Sequence, residues 1–348
     1  MDCRQGAGAR PGTIGSRHAP ARAAAPLARP LRAAVALVAL LAALMAAPAR
    51  AWGPVGHRAV GAVADQLLTP AAQAAVQALL VDDRDRNGRY SGRHSLAEVA
   101  DWADEIRGGP ADRPHWHYDN RPVCERERPP AAWCPQGDCA SAQLPLLLAV
   151  LADDGRSRAD RNVALKWVVH LVGDLHQPLH AADLAEGANR IRVTPYGRSA
   201  HEPGRGTGPW DGGAARHHAR GDESLHAFWD SHLVNLALRP VDGALPAAAL
   251  AELLERARAL DERDVAAPPQ RWAEESNDIA RRFALAIDGV DCAHRDALDA
   301  GAGPRVTLSR EYVARGRQIV QERIALAGAR LARVLNQALD GGEGRPRP

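Results

Sequence analysis

The sequence has little strand-like alternation, no internal repeat and no Cys-x-x-Cys pair among its 348 residues. The first two lacks set aside an all-β architecture and a solenoid or propeller; the third sets aside a thiolate zinc knuckle and a redox dithiol. A surplus of base is missing as well. The formal net charge is +2, but residues 1–51 hold seven Arg against the single acid Asp2, which leaves residues 52–348 with 37 basic and 41 acidic side chains, a balance of −4. A chain that coats a polyanion presents a broad basic face. Any nucleic-acid contact here has to be local to a site, where metal ions could supply the positive charge.

The apolar stretch 33–47, AAVALVALLAALMAA, is too short to span a bilayer comfortably. Arg29 and Arg32 precede it, and Ala49-Arg50-Ala51 follows with small residues at both cleavage-defining positions. Residues 1–51 are therefore expected to be a signal peptide, cut after Ala51 to leave Trp52 as the new N-terminus. An uncleaved anchor is the alternative, since the region before Arg29 is long for a leader. The remainder is large enough for one substantial domain or two small ones, each with a real core. Cysteine usage agrees with export to the medium or a periplasm. Cys3 goes with the leader, and Cys124, Cys134, Cys139 and Cys292 form an even set suited to an oxidising compartment. Their three possible pairings stay open.

The regular segments read almost entirely as helix. Val60, Val63 and Leu67 recur at three-to-four spacing over 56–68. Ser95 caps a run over 96–107, with Glu98 at the capping-box position. Further helices are expected over 143–152, 162–175, 223–238, 247–260, 271–286 and 309–339. Residues 189–193 alternate briefly before Pro195 and Gly197 stop them, so one small β-hairpin is expected in a mainly α, single helical domain over 52–340. The Pro/Arg/Cys-rich stretch 119–140 reads as a surface excursion tied down by disulfides. The Gly/His/Arg-rich stretch 194–222 reads as a functional flap or as disordered, its His201, His217 and His218 as solvated loop residues in preference to a cleft cover or an extra metal site, and the tail 341–348 as mobile. Asp83-x-Asp85-x-Asn87-Gly88 imitates the start of a calcium loop, but His94 stands where a bidentate Glu is required, so a surface turn is expected.

The densest chemical signal is His170-Leu-Val-Gly-Asp174-Leu-His176-Gln-Pro-Leu-His180. His170 and Asp174 lie four apart, so both leave one helix face and can reach a common ion. Pro178 then breaks the helix and turns His180 back toward them. His226 and Asp230 repeat the four-residue step. One such pair is most often a hydrogen-bonded surface pair; two in a chain with 14 His point to a shared site. Imidazole and carboxylate ligands without thiolate indicate exchangeable, catalytic metal, with zinc favoured by the number of imidazoles.

With Trp52-Gly-x-x-Gly-His57, Trp102-Ala-Asp104-x-x-Arg107, Trp116-His117-Tyr118, the His170–His180 block, Gly187-Ala-Asn189 and Leu225-His226-x-x-Trp229-Asp230, the chain resembles the secreted single-strand-specific zinc nucleases and 3′-nucleotidases. These are relatives of the zinc-dependent phospholipases C. The resemblance spans nearly all of residues 52–340. It implies a helical domain of the phospholipase C/nuclease type and a phosphodiesterase that cuts single-stranded DNA and RNA to 5′-phosphorylated products, with 3′-nucleotidase activity. A phospholipase C is the alternative, and a zinc-storage protein a more distant one. No stable protein partner is implied.

The resemblance also implies residue roles. Three Zn²⁺ are expected: one on Asp104, His117, His170 and Asp174; a second on His180, His226 and Asp230; a third on the free amine and carbonyl oxygen of Trp52, with His57 and a shared oxygen of Asp174. Asp104 would orient the attacking water, Asp174 would bridge two ions, and Arg107 would lie near the scissile phosphate. Tyr118 would stack on a base, and Asn120 falls at a base-reading position usually held by an acid. A buried aromatic, an ion-pair partner and a core side chain are the ordinary readings of Trp52, Arg107 and Tyr118. The family's cysteine pattern implies Cys124–Cys292 and Cys134–Cys139, and His176 is expected to pack rather than to ligate. An α-amine whose ordinary pKa is about 8 ligates once deprotonated. The third site therefore requires that the bond before Trp52 be cut.

Overall fold

A computed structural model describes residues 52–125, 127–194 and 223–340, all within one compact unit, residues 49–348. The leader 1–51, the stretch 195–222 with His201, His217 and His218, and the tail 341–348 lie outside the described residues. The longer helices are α1 (Pro54–Asp65), α2 (Pro70–Leu80), α3 (Ala140–Ala152), α4 (Arg158–Asp174), α5 (Ala247–Arg258), α6 (Pro269–Ile279) and α7 (Arg310–Leu339). The domain is mainly α, as expected.

Helix α4 is the central element. Ser157 caps it through the Asp160 N–H, and from Ala164 to Asp174 every residue is buried, polar ones included. A helix apolar on one face only would lie at the surface; this one is covered all round. Helices α1, α3 and α7 pack on it, and α7 lays its small residues Ala325, Ala327 and Gly328 into the interior. Pro145 sits inside α3 and cannot donate to the Ser141 carbonyl one turn back; the Gln270 side chain donates to it instead, at 3.2 Å.

Two differences from the expected elements have local causes. The run 96–107 forms two short helices, Leu96–Val99 and Trp102–Glu105, the first closed by the Ser95/Glu98 capping box. A continuous helix would give the Ala100 carbonyl to the Asp104 N–H; that N–H bonds Asp101 O (3.0 Å), and Ala100 O accepts from the His170 ring (2.8 Å). The hairpin is a three-stranded sheet. β1 (Arg192–Thr194) lies between antiparallel β2 (Glu223–Ser224) and parallel β3 (Val306–Thr307). The third strand is two residues long and owes its existence to pairing over more than a hundred residues, which local alternation does not report. The stretch 119–140 is tied by the disulfides Cys124–Cys292 and Cys134–Cys139.

Candidate metal centre

Helix α4 delivers His170 and Asp174 one turn apart, both fully buried. His170 gives its Nδ1–H to the Ala100 carbonyl (2.8 Å), which fixes the tautomer and leaves Nε2 facing Asp174 Oδ2 at 3.2 Å. His117 Nδ1 faces the same oxygen at 3.2 Å. The second oxygen, Oδ1, faces His57 Nε2 at 3.5 Å and His180 Nδ1 at 3.4 Å. Asp174 is thus the hub of the cluster, with one oxygen toward each of two groups of imidazoles.

Pro178 ends the helical path, and a tight turn over Pro178–Ala181 returns His180. Two bonds clasp this turn to the His117 segment: His180 Nδ1 donates to His117 O (2.8 Å), and the Asp119 N–H donates to His180 O (2.9 Å). Asp119 is itself buried, accepting from the Ser141 N–H (2.8 Å) and hydroxyl (2.7 Å) at the start of α3. Gln177 accepts from the Leu179 N–H (2.5 Å) and donates to Asp230 Oδ1 (2.6 Å).

His226 and Asp230 stand on a helix that widens into a π turn at Phe228–His232, a deviation frequent at functional sites. His226 Nε2 faces Asp230 Oδ2 at 3.2 Å, and its Nδ1–H goes to the Gly187 carbonyl at 2.6 Å. That carbonyl comes from a left-handed turn in which Ala185, Glu186, Gly187 and Ala188 all have φ between 52° and 68°. Such a conformation costs L-residues roughly 1–2 kcal/mol each, and it is held here by packing under the site. A Cβ on Gly187 would stand 2.8 Å from Leu179 O and 3.3 Å from His226 Nδ1.

The start of the described chain closes the cluster. The Gly53 N–H donates to Asp230 O at 2.7 Å, and the Trp52 side chain is fully buried, packed against Gly56. One turn into α1, His57 stacks on His170 with ring centroids 4.0 Å apart. Gly173 makes room for it, since a Cβ there would be 2.6 Å from His57 Nδ1. At the rim, Arg107 Nε donates to Asp104 Oδ1 (2.7 Å) and Nη1 to the Tyr118 hydroxyl (3.4 Å). Tyr118 is half-buried, its ring 5.1 Å from that of His180, and Asn120 is exposed two residues on.

Electrostatics follow from burial plus neighbours. Burial works against charge on Asp174, but His170, His117 and His57 hold its carboxyl well below the usual carboxylate range. Burial likewise opposes a proton on His170, which Asp174 and Asp104 nevertheless raise to about 9. Burial pushes Asp230 up to about 6, His226 and Gln177 only partly offsetting it. His117 and His180 are lowered by burial, the latter strongly, which keeps a lone pair on each ring.

These residues fit metal ions. One ligand atom from each member lies within 4.8 Å of the others in three groups: His57, Asp104 and His170; His117, His170 and Asp174; His180, His226 and Asp230. Buried polar atoms are normally paired, yet His57 Nδ1 and Nε2, Nε2 of His117, His180 and His226, Asp174 Oδ1 and Asp230 Oδ2 accept or donate no hydrogen bond within the protein. Three carboxylates gathered with unpartnered imidazole nitrogens are the donor set of a cation site. Every expected ligand side chain is brought to this one place. The residues that orient them, Asp119, Gln177 and the carbonyls of Ala100 and Gly187, carry no signal of that role in the sequence; only Gln177 and Gly187 lie inside noted motifs.

The described features match known proteins. The family model for S1/P1 nuclease matches residues 52–340. Endonuclease 2 of Arabidopsis thaliana is 28% identical over 309 residues, covering 84% of this chain and 93% of that protein. Nuclease S1 of Aspergillus oryzae is 25% identical over 304 residues, 81% and 89% of the two chains. Nuclease P1 of Penicillium citrinum is 28% identical over 189 residues, 52% and 58%.

Proposed function

The chain belongs to the S1/P1 nuclease family, and from that membership we propose that it hydrolyses phosphodiester bonds of single-stranded DNA and RNA to 5′-phosphorylated products, with 3′-nucleotidase activity at the same centre. Of the two reactions open to such a ligand set, the family matched is the nuclease rather than the phospholipase. The observation that carries the reading is the set of mutually facing His and Asp side chains, seven of whose ring nitrogens and carboxylate oxygens are buried with no partner in the protein.

Three Zn²⁺ would be held, one by Asp104, His117, His170 and Asp174, one by His180, His226 and Asp230, and one by the Trp52 amine and carbonyl with His57 and Asp174. When bound, such ions lower the pKa of a water and draw charge from a phosphate. The chain's own groups do the rest. Asp104 orients the attacking water, and its bond to Arg107 Nε fixes the guanidinium beside it. Arg107 stabilises charge growing on the non-bridging oxygens; its N–H donors are positioned before substrate arrives. Gly187 and Ala100 accept the Nδ1–H of His226 and His170, so Nε2 of each is the nitrogen turned into the cluster, where it would give up its proton to a cation. Tyr118 offers a base platform at the rim and Asn120 an amide for its edge. A flexible strand can splay a base onto Tyr118, whereas a duplex must first unpair.

The signal peptide 1–51 would be removed to free Trp52, leaving the nuclease domain that the family model matches over residues 52–340. Two disulfides in the structure and the lack of a membrane-long apolar helix among the described residues accord with a secreted or periplasmic protein. The test is cleavage of single-stranded and duplex DNA of one sequence with end-group analysis. Faster loss of the single strand with 5′-phosphate ends is expected; equal rates on both, or phosphate left on the 3′ side, would contradict the proposal.

A further inference from the structure

A cavity of about 380 Å³ outside the His/Asp cluster is lined by Arg121, Arg128, Arg271 and Arg281, with Trp133 between them. Glu274 and Asp278 also line it, and with Asp119, Glu125 and Asp183 outside the lining every guanidinium has a carboxylate partner. The cavity is tied to the centre by short connections. Arg121 follows His117 by four residues, and Asn277, in the cavity wall, donates to the Ala181 carbonyl at 2.7 Å, next to His180.

The arginines are held before any ligand arrives. Arg121 lies over the Trp133 ring at 4.5 Å and is fixed by Asp119 Oδ2 (3.2 Å), the Gln270 carbonyl (3.3 Å) and Glu274 (3.8 Å). Arg281 donates to the Val123 carbonyl (3.2 Å) and faces Asp278 (3.5 Å). Arg128 faces Asp183 (3.4 Å) and Glu125 (3.7 Å), and Arg271 pairs with Glu274 (3.2 Å). A guanidinium has five N–H donors in a fork that matches phosphate oxygens, and these contacts use only part of each fork. A phosphate between the four forks can take the N–H donors that these carboxylates and carbonyls leave over. The volume lies in the range of small-ligand sites, and Trp133 adds an aromatic surface beside the charges, the pairing that single-strand sites use.

We propose that this cavity is a strand-holding subsite: it binds a backbone phosphate of the single-stranded substrate, at a nucleotide away from the one being cut. This rests on the nuclease reading of the metal centre. The shared chemistry, a nucleotide phosphate, could also come from a free mononucleotide, and the strand is favoured because the cavity adjoins the segments that carry His117 and His180.

The test uses the processed enzyme with the double change Arg128→Gln and Arg271→Gln. On a strand of about 20 nucleotides, KM should rise about tenfold with kcat unchanged, while KM on a dinucleotide stays the same. The salt dependence of strand binding should flatten by about 0.7 in log–log slope, for one phosphate no longer neutralised. An unchanged KM on the long strand, or an equal rise on the dinucleotide, overturns the subsite. Glu274→Gln removes a negative charge and should lower KM on the strand; a rise contradicts the proposal without any question of lost folding. Polarisation of a labelled phosphorothioate strand separates the two claims. If wild type binds it, the double variant binds it about tenfold less tightly and neither cuts DNA, the nuclease reading fails and the subsite stands. Weaker binding of adenosine 5′-monophosphate with unchanged strand binding would give the cavity to free nucleotide and overturn the strand assignment.

Discussion

Two buried polar clusters lie back to back around the end of α4, and they differ in how the chain treats its polar atoms. On one side His176 has both ring nitrogens occupied: Nδ1–H donates to Val172 O at 2.7 Å, and Nε2 accepts from Arg330 at 2.9 Å. Arg330 is fully buried and forks onto Glu275 at 2.8 and 2.9 Å, with Arg323 joining the same carboxylate at 3.1 Å. On the other side His57, His117, His180 and His226 each keep an unpartnered nitrogen. His176 and His180 are four residues apart, equally buried and both neutral through burial. Burial and pKa direction therefore do not separate His176 from His180; the nitrogen left unpartnered on His180 does, while His170 beside it meets only Ala100 O and the other members of the candidate cluster, Asp174 at 3.2 Å and His117 at 3.0 Å. The chain's only lysine makes the same point, since Lys166 is buried on Asp83 (2.7 Å), the Arg84 carbonyl (3.2 Å) and the face of the Trp102 ring (4.2 Å).

That contrast is open to direct attack. The largest effect is expected from Asp174→Asn, which should lower kcat by about 10³-fold while the circular dichroism spectrum and thermal midpoint of the metal-free protein change little. Arg330→Met should do the reverse. Leaving His176 Nε2 unpartnered and Glu275 with Arg323 alone should cost up to about 3–5 kcal/mol in denaturant unfolding, with the specific activity of folded enzyme retained. Gly187→Ala comes next: it should cost about 1–2 kcal/mol and loosen the ion on His180, His226 and Asp230, read as one zinc lost first in a chelator titration.

A smaller effect is expected from pH. Burial opposes charge on Glu275, but Arg330 and Arg323 hold its carboxyl below its ordinary value. A carboxylate depressed in the folded state stabilises above its unfolded pKa, and that contribution is lost as pH falls through the lower folded value. Wild type should thus lose stability in the acid range below about 4.3 more steeply than Glu275→Gln. The smallest effect is expected at the calcium-like turn. Asp85 Oδ1 accepts the N–H groups of Asn87 (2.8 Å) and Arg89 (2.9 Å), so it acts as a local turn cap. Asp85→Ala should leave the metal count unchanged and shift stability by no more than about 1 kcal/mol.

Much of the candidate centre was legible because the side chains that could ligate come in short helical steps with a proline stop between them. His170, Asp174 and His180 need only α4 and Pro178 to converge, and both follow from local chemistry. The orienting atoms were not legible. Ala100 and Gly187 act through backbone carbonyls, and the left-handed turn at Ala185–Ala188 carries only one glycine to announce four positive φ values. Helix α2 was missed because alanines on its other faces blur the stripe of Ala72, Val76, Leu79 and Leu80 that it buries, although Thr69 caps it and Pro70 opens it. The π turn under Asp230 follows from no spacing rule; it accompanies a tertiary bond, Asp230 O to the Gly53 N–H.

The most direct test is metal content by native mass spectrometry on secreted protein, read together with the N-terminal residue of the same sample. Three zinc ions on a chain that begins at Trp52, falling to two when one residue is left uncut ahead of it, is the predicted result. A fully active protein with fewer metals, or with a different first residue, would contradict the account.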